Sequence, residues 1–214
     1  MRRIRADSRG SFYSHWGKRS VDILVSFFCL PVLALLIIIV APVILICDGM
    51  PVFYLSQRRG RSGRSFTMLK FRSMKVTAPD FRNPDGSTLT SSDDPRLTKC
   101  GKWLRKTSLD EFPQILNIIL GDMSIVGPRP HVATRSYDQL TSDEQEVLFV
   151  RPGLTGYNQA YWRNAADTIL KTQNDLYYVR HISFRLDMAI IWQTVWQVTG
   201  HVGINADDEM KAKK

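Results

Sequence analysis

ILVSFFCLPVLALLIIIVAPVILIC, residues 23–47, is a run of 25 residues without one charge, and its reading decides the architecture of the chain. As a single helix it extends about 38 Å, enough to cross the hydrocarbon core of a bilayer. It is too long for the apolar core of a signal peptide. A chain of 214 residues is also too small to surround it as an ordinary core helix. The flanks argue against a simple crossing. Arg2, Arg3, Arg5, Arg9, Lys18 and Arg19 precede the run, and Arg58, Arg59, Arg61, Arg64, Lys70, Arg72 and Lys75 follow it. The positive-inside rule wants both flanks on the cytoplasmic side, which one spanning helix cannot satisfy. A helix that enters, breaks and returns can. Pro31 and Pro42 supply break points, because proline removes a helix hydrogen bond and clashes one turn back. The run therefore predicts a re-entrant, monotopic anchor over 18–48, preceded by a basic segment over 1–17. Asp22, at i+4 from Lys18 and i+3 from Arg19, predicts an ion pair at the interface.

Beyond the anchor, Asp48-Gly49-Met50-Pro51 is a turn signal, and a catalytic-sized domain over 49–200 follows. Val52-Phe53-Tyr54-Leu55 and Ser65-Phe66-Thr67-Met68-Leu69 read as short strands around a basic, glycine-containing turn. Residues 76–95, rich in Pro, Asp, Ser, Asn and Gly, read as a mobile loop. Helical patterns return near 99–106, 110–120, 141–149 and 183–198. Trp192 and Trp196 share one face of the last, marking either a bilayer-interface surface or core. Residues 201–214 read as a flexible tail. The expected fold is α+β and mostly helical: a helix-break-helix anchor, a short β-hairpin and interfacial amphipathic helices.

The net charge of +9 and pI near 9.7 call for an anionic partner: nucleic acid, an anionic membrane or a phosphorylated substrate. Cys29, Cys47 and Cys100 form no CxxC pair, which fits a reducing setting and no disulfide framework. His15, His131, His181 and His201 lack the spacing of a zinc site.

The segment Arg105-Lys106-Thr107-Ser108-Leu109-Asp110-Glu111-Phe112-Pro113-Gln114 carries the most chemistry. Ser108 with Glu111 three residues later fits a capping box, but Pro113 then falls too deep in the helix. Starting the helix at Asp110 puts Pro113 in the first turn and both carboxylates at an N-terminus that favours anions. Adjacent helical positions diverge, so one carboxylate can attack phosphorus while the other holds a metal ion or handles a proton. A plain helix start explains the same residues when they are taken alone. Arg129, fixed between Pro128 and Pro130, suits phosphate recognition by its guanidinium fork, and a solvent-facing arginine in a proline turn is the simpler alternative. Arg59, Lys70 and Arg72 face either a pyrophosphate or lipid headgroups. Gly60-x-x-Gly63 is too short for a dinucleotide fingerprint, and no P-loop is present.

With these residues in view, the chain resembles the monotopic polyprenyl-phosphate phosphoglycosyl transferases, the bacterial sugar transferase family. The resemblance runs from Lys18 to about Thr199. It is carried by Lys18-Arg19-x-x-Asp22, Gln57-x-Arg59-Gly60, Lys70-Phe71-Arg72-Ser73-Met74 and Asp94-Pro95-Arg96-Leu97-Thr98. Leu104-Arg105, Ser108-Leu109-Asp110-Glu111-x-Pro113-Gln114 and Gly121-Asp122-Met123-Ser124 through Pro130 continue it. Arg151-Pro152-Gly153-Leu154-Thr155-Gly156 and Tyr177-Tyr178-Val179 close it. The resemblance implies a re-entrant membrane helix, an Asp-Glu dyad, Mg²⁺ and a covalent phosphosugar intermediate. Carried over, Asp110 is the nucleophile, Glu111 its magnesium-associated partner, Arg129 a contact to the nucleotide-sugar and Arg105 a contact to a phosphate. Family members break the anchor at a Ser-Pro near the position of Leu35, whereas the prolines here are 31 and 42.

The implied reaction moves a sugar-1-phosphate from a nucleotide-sugar (UDP by resemblance) to polyprenyl phosphate, such as undecaprenyl phosphate, and releases UMP. The implied place is the cytoplasmic face of the bacterial inner membrane, with capsule, exopolysaccharide, lipopolysaccharide or glycoprotein synthesis as the pathway. A membrane-tethered basic module binding nucleic acid or anionic lipid explains the charge but leaves the Asp-Glu pair and Arg129 without a task. A conventional metal-dependent glycosyltransferase would carry an Asp-x-Asp motif, which is absent. The sequence does not specify the sugar or decide between monomer and homodimer. Donor selectivity is expected in 76–95 and 157–163.

Overall fold

The computed structural model describes residues 12–78, 94–132, 136–162 and 168–200. The N-terminal basic segment through residue 11, most of the expected loop at 76–95, Arg163 and the tail from 201 lie outside them. After a π-helical turn at Tyr13–Gly17, α1 runs over Lys18–Asp48 as one helix of 31 residues. The break expected at Pro31 or Pro42 is not an interruption: both prolines lie inside α1. Each removes one hydrogen bond, but both rings are exposed while the opposite face is held by burial of Leu33, Val40 and Ile44. Buried residues of this size stabilise by roughly 1.5–3 kcal/mol each, enough to offset two proline defects of about 3 kcal/mol.

Both ends of α1 are fastened to the same body. Near the start, the Arg19 guanidinium donates to the Ile118 and Ile119 carbonyls at 2.6 and 3.0 Å. At the far end, Arg72 donates to the carbonyls of Asp48, Gly49 and Met50 at 2.8, 2.6 and 3.2 Å, satisfying groups that a helix C-terminus leaves unpaired. Asp22 does not take its expected cationic partner. It is buried and accepts from Ser124 Oγ and the Ile125 N–H, both at 3.0 Å. Lys18 goes instead to Asp187 at 2.6 Å, a carboxylate that also accepts from Tyr13 and Tyr178.

The expected hairpin forms from β1, Phe53–Arg59, and β2, Ser65–Phe71, in antiparallel register from Phe53↔Phe71 to Arg59↔Ser65. Its turn contains Ser62 and Gly63 at positive φ. Phe66, Met68 and Phe71 face inward from β2. The helices α2 (Lys99–Lys106), α3 (Gln114–Leu120) and α4 (Ser142–Val147) fall within the stretches of helical pattern. The last stretch holds α7, Phe184–Thr199, which runs one residue past it and on which Trp192 and Trp196 are 70% and 63% exposed, which excludes core for that pair. Not anticipated from sequence are the parallel strands β3 (Ser124–Val126) and β4 (Gly153–Thr155), and the helices α5 (Tyr157–Tyr161) and α6 (Thr168–Arg180). The strands are three residues each, below the length at which a period of two is readable. They approach so closely that a Cβ on Gly153 would stand 2.1 Å from the Gly127 nitrogen.

Two of the three apolar clusters contain α1. Leu33 packs with Phe66, Met68, Ile115, Ile118 and Met123, and Val40 and Ile44 pack with Phe71 and Leu104. The third joins Val126, Ala160, Tyr178, Val179, Ile182 and Ile190. The result is a mostly helical α+β fold with one long apolar N-terminal helix, whose outer face leaves Phe27, Phe28, Ile38 and Ile46 between 66% and 84% exposed.

Candidate active site

The site is assembled where α2 ends and α3 begins. Thr98 caps α2 by accepting from the Gly101 N–H at 2.9 Å. Gly101 lies so close to Ser73 that a Cβ there would fall 1.9 Å from the Ser73 carbonyl oxygen. The buried Asp94–Arg96 ion pair, 2.7 Å, precedes the cap, so this motif is structural rather than chemical. Docked in this way, α2 directs Arg105 toward Ser73, whose Oγ accepts from Arg105 Nε at 3.3 Å.

Between α2 and α3 the chain makes a 3₁₀ turn, Leu109–Glu111, entered through Ser108 at φ 57°. Neither expected helix start occurs. Ser108 makes no side-chain cap, and α3 starts at Gln114 with Pro113 immediately before it, where a missing N–H costs nothing. The carboxylates are thus presented by a tight turn rather than by a helix.

Asp110 is 6% exposed. Burial, then the neighbouring Glu111 charge, raises its pKa to about 6, against the pull of Lys70, Arg105 and Arg129. Burial pushes Glu111 in the same direction, but Lys70 and Arg129 outweigh it and hold that carboxyl low, at about 2. Lys70 Nζ on β2 pairs with Glu111 Oε1 at 2.5 Å, and Arg129 Nη2 stands 3.9 Å from the same oxygen. Two carboxylates therefore face three cations, an arrangement with a surplus positive charge for a phosphate. Environments that push a carboxylate pair apart are those in which one member reacts and the other orients.

The other expected site residues separate. Arg129 projects from the loop after β3, 59% exposed in its side chain, and shares a narrow cleft with buried Arg59 and with His131. That loop is fastened to the hairpin through the Arg59 N–H, which donates to the His131 carbonyl at 2.9 Å. Arg72, expected at a phosphate, is 4% exposed and committed to the three carbonyls ending α1. It is a structural residue, because a buried guanidinium must spend its donors on whatever oxygens surround it. Sequence reasoning missed Asp175 on α6. It is buried, with Oδ1 lacking a hydrogen-bond partner among the described residues, and burial raises its pKa to about 7 while Arg129 opposes the rise. Nothing in the local pattern 168–180 distinguishes this aspartate from a solvated one. Among the described residues no group of three or more His, Cys, Asp or Glu side chains forms a metal cage.

The bacterial sugar transferase family matches residues 13–201. The chain is 37% identical over 198 residues to the uncharacterized sugar transferase EpsL of Bacillus subtilis (strain 168), covering 92% of this chain and 94% of that one. It is 39% identical over 189 residues to the exopolysaccharide production protein ExoY of Sinorhizobium fredii (strain NBRC 101917 / NGR234), covering 83% of each. Identity is 37% to the UDP-glucose:undecaprenyl-phosphate glucose-1-phosphate transferase of Escherichia coli (strain K12), over 84% of this chain but 39% of that longer protein. The resemblance drawn from the motifs holds: the chain belongs to the bacterial sugar transferase family, which it matches over nearly its whole length.

Proposed function

We propose that this enzyme is a phosphoglycosyl transferase that moves a sugar-1-phosphate from a UDP-sugar to undecaprenyl phosphate, with Asp110 as a covalent nucleophile. The observation that carries the reading is the buried Asp110 carboxyl, raised to about 6 and faced by Lys70, Arg105 and Arg129. A desolvated carboxylate in a cationic setting is ionised at neutral pH yet poorly solvated, which suits attack on phosphorus.

In the first step an Asp110 oxygen bonds to the sugar-linked phosphorus, and the bond to the bridging oxygen breaks, leaving with UMP. In the second, a phosphate oxygen of the polyprenyl acceptor attacks that phosphorus, and the acyl-phosphate bond breaks to regenerate the Asp110 carboxylate. One hard transfer becomes two easier ones. Arg129, beside Arg59, meets the donor's phosphates, and Arg105 the acceptor's. Lys70 holds Glu111 in its ionised form. Asp110 and Glu111 supply hard oxygen donors of the kind Mg²⁺ takes together with substrate phosphates, and that ion would neutralise phosphate charge. The remaining chemistry is positioning.

The membrane reading follows from α1. Both its ends are bound to one domain, and its unpartnered face is apolar from Leu24 to Ile46. Such an unbroken helix embeds that face by lying along one surface of the bilayer, which keeps both basic flanks on the cytoplasmic side, with Trp16, Trp103, Trp192 and Trp196 exposed. A basic tether without catalysis has no use for a buried Asp110 carboxylate beside Glu111. UMP release from a panel of UDP-sugars, in nanodiscs with undecaprenyl phosphate and Mg²⁺, tests the reading. Release with at least one donor, abolished in Asp110→Asn, is expected; no release with any donor overturns it.

A further inference from the structure

Cys47 stands in the last turn of α1 and Cys100 in the first turn of α2, and the reaction at Asp110 uses neither thiol. Val40 and Ile44 on α1 pack with Leu104 on α2, which holds the two helices side by side. The Cys100 thiol donates to the Val43 carbonyl at 4.0 Å. Regular α-helical bonding assigns that same carbonyl to the N–H of Cys47, one turn further on. Side chains on a helix tilt toward its N-terminus, so the Cys47 sulfur is carried back over the turn that Cys100 touches. The electrostatics agree with this contact. Burial first, then a hydrogen bond with the Cys47 thiol and the charges of Asp48 and Cys47, pushes the Cys100 thiol up to about 11. Both cysteines are free, Cys47 exposed and Cys100 half-buried.

Two sulfurs in contact, one of them open to solvent, make a thiol pair that can oxidise and be reduced again. We propose that Cys47 and Cys100 are a redox modification site, closing to a disulfide that clips α2 to the end of α1 when peroxide reaches the protein. The exposed Cys47 sulfur attacks one oxygen of hydrogen peroxide and breaks the O–O bond, giving a sulfenic acid and one water. The Cys100 sulfur then attacks the Cys47 sulfur, and the sulfenic oxygen leaves with the Cys100 proton as a second water. The thiol pair loses two hydrogens and two electrons, and the peroxide takes up both. An exposed disulfide of this kind is reopened by exchange with a small thiol, so the pair is reduced in a reducing compartment. Cys29 takes no part, because it sits about 27 Å back along α1 and packs against the Leu33 cluster. Two thiols are too few to hold zinc, and among the described residues no third ligand joins them. The thiol chemistry is independent of the reaction at Asp110, so its failure leaves the transferase reading standing.

The test uses the reduced wild-type chain in nanodiscs, treated with hydrogen peroxide, alkylated at any remaining thiol and mapped by peptide mass spectrometry without reductant. A peptide joining Cys47 to Cys100 is expected, two hydrogens lighter than its reduced parts, and glutathione should return both thiols. The bond closes a loop of about 50 residues, so oxidation should raise Tm by about 5–15 °C. Cys47→Ser and Cys100→Ser should each abolish the linked peptide and the Tm shift, whereas Cys29→Ser should keep both. No linked peptide, a link between two chains, or stable oxygen adducts on Cys47 with Cys100 still open to alkylation overturns the proposal. A linked peptide with an unchanged Tm refutes the clip. Should Cys100→Ser fail to fold, the wild-type map and the exposed Cys47→Ser variant decide.

Discussion

Replacing Asp110 by asparagine should make the protein more stable while abolishing turnover, and the gain should depend on pH in a defined sense. Burial and the Glu111 charge raise this carboxyl from an ordinary value of 3.8 to about 6. A group whose folded pKa is raised binds more protons in the folded state between those values. Stability therefore falls as pH rises from about 4 to about 6 and stays low above. Two pKa units correspond to about 3 kcal/mol at neutral pH. For a chain of this size that is about 6–12 °C in Tm, an upper figure because the asparagine amide is itself buried. Thermal unfolding of both proteins in the same nanodiscs, with chelator present so that no cation offsets the charge, should show the variant ahead at pH 7.5. The advantage should shrink steadily toward pH 4. A variant less stable at pH 7.5, or a gain of equal size at both pH values, refutes the claim that Asp110 is a strained, desolvated carboxylate.

Other outcomes follow from the same geometry. In the wild-type enzyme kcat/KM should fall as pH drops through about 6, where Asp110 takes up a proton, and Lys70→Met should move that limb to higher pH, because Lys70 lowers the Asp110 pKa. A limb that stays in place separates Lys70 from the nucleophile. Arg72→Ala should cost about 2–4 kcal/mol, as charged hydrogen bonds to three carbonyls are lost, and should lower Tm more than it changes KM for either substrate. A raised donor KM at unchanged Tm would restore Arg72 to the phosphates. Gly101→Ala should displace α2 from Ser73 and reduce turnover through Arg105, whereas Lys102→Ala on the exposed face of α2 should not.

The long helix, the hairpin and the Asp-Glu pair were legible because each rests on a local signal: an uncharged run, two β-rich segments around a glycine turn, and an acidic dipeptide before a proline. What stayed hidden was set by tertiary contact. Pro31 and Pro42 break isolated helices, yet α1 continues because Leu33, Val40 and Ile44 are buried on the other face. Lys18 was within reach of Asp22 by spacing, but Asp187, 169 positions away, takes it. Arg72 and Lys70 lie two residues apart on one hairpin and look alike in sequence. Lys70 lies within β2 and reaches Glu111, whereas Arg72 follows the end of that strand and is buried under the end of α1. The site was thus readable in composition and only partly in assignment.

The central claim is that position 110 is transiently esterified by the donor's phosphosugar. Intact mass measurement of the wild-type chain mixed with its UDP-sugar and Mg²⁺, without polyprenyl phosphate, should show a gain equal to one phosphosugar. Peptide mapping should place it on Asp110, and polyprenyl phosphate should discharge it. Turnover at a normal rate with no such adduct at any time, or an adduct that survives in Asp110→Asn, contradicts the account.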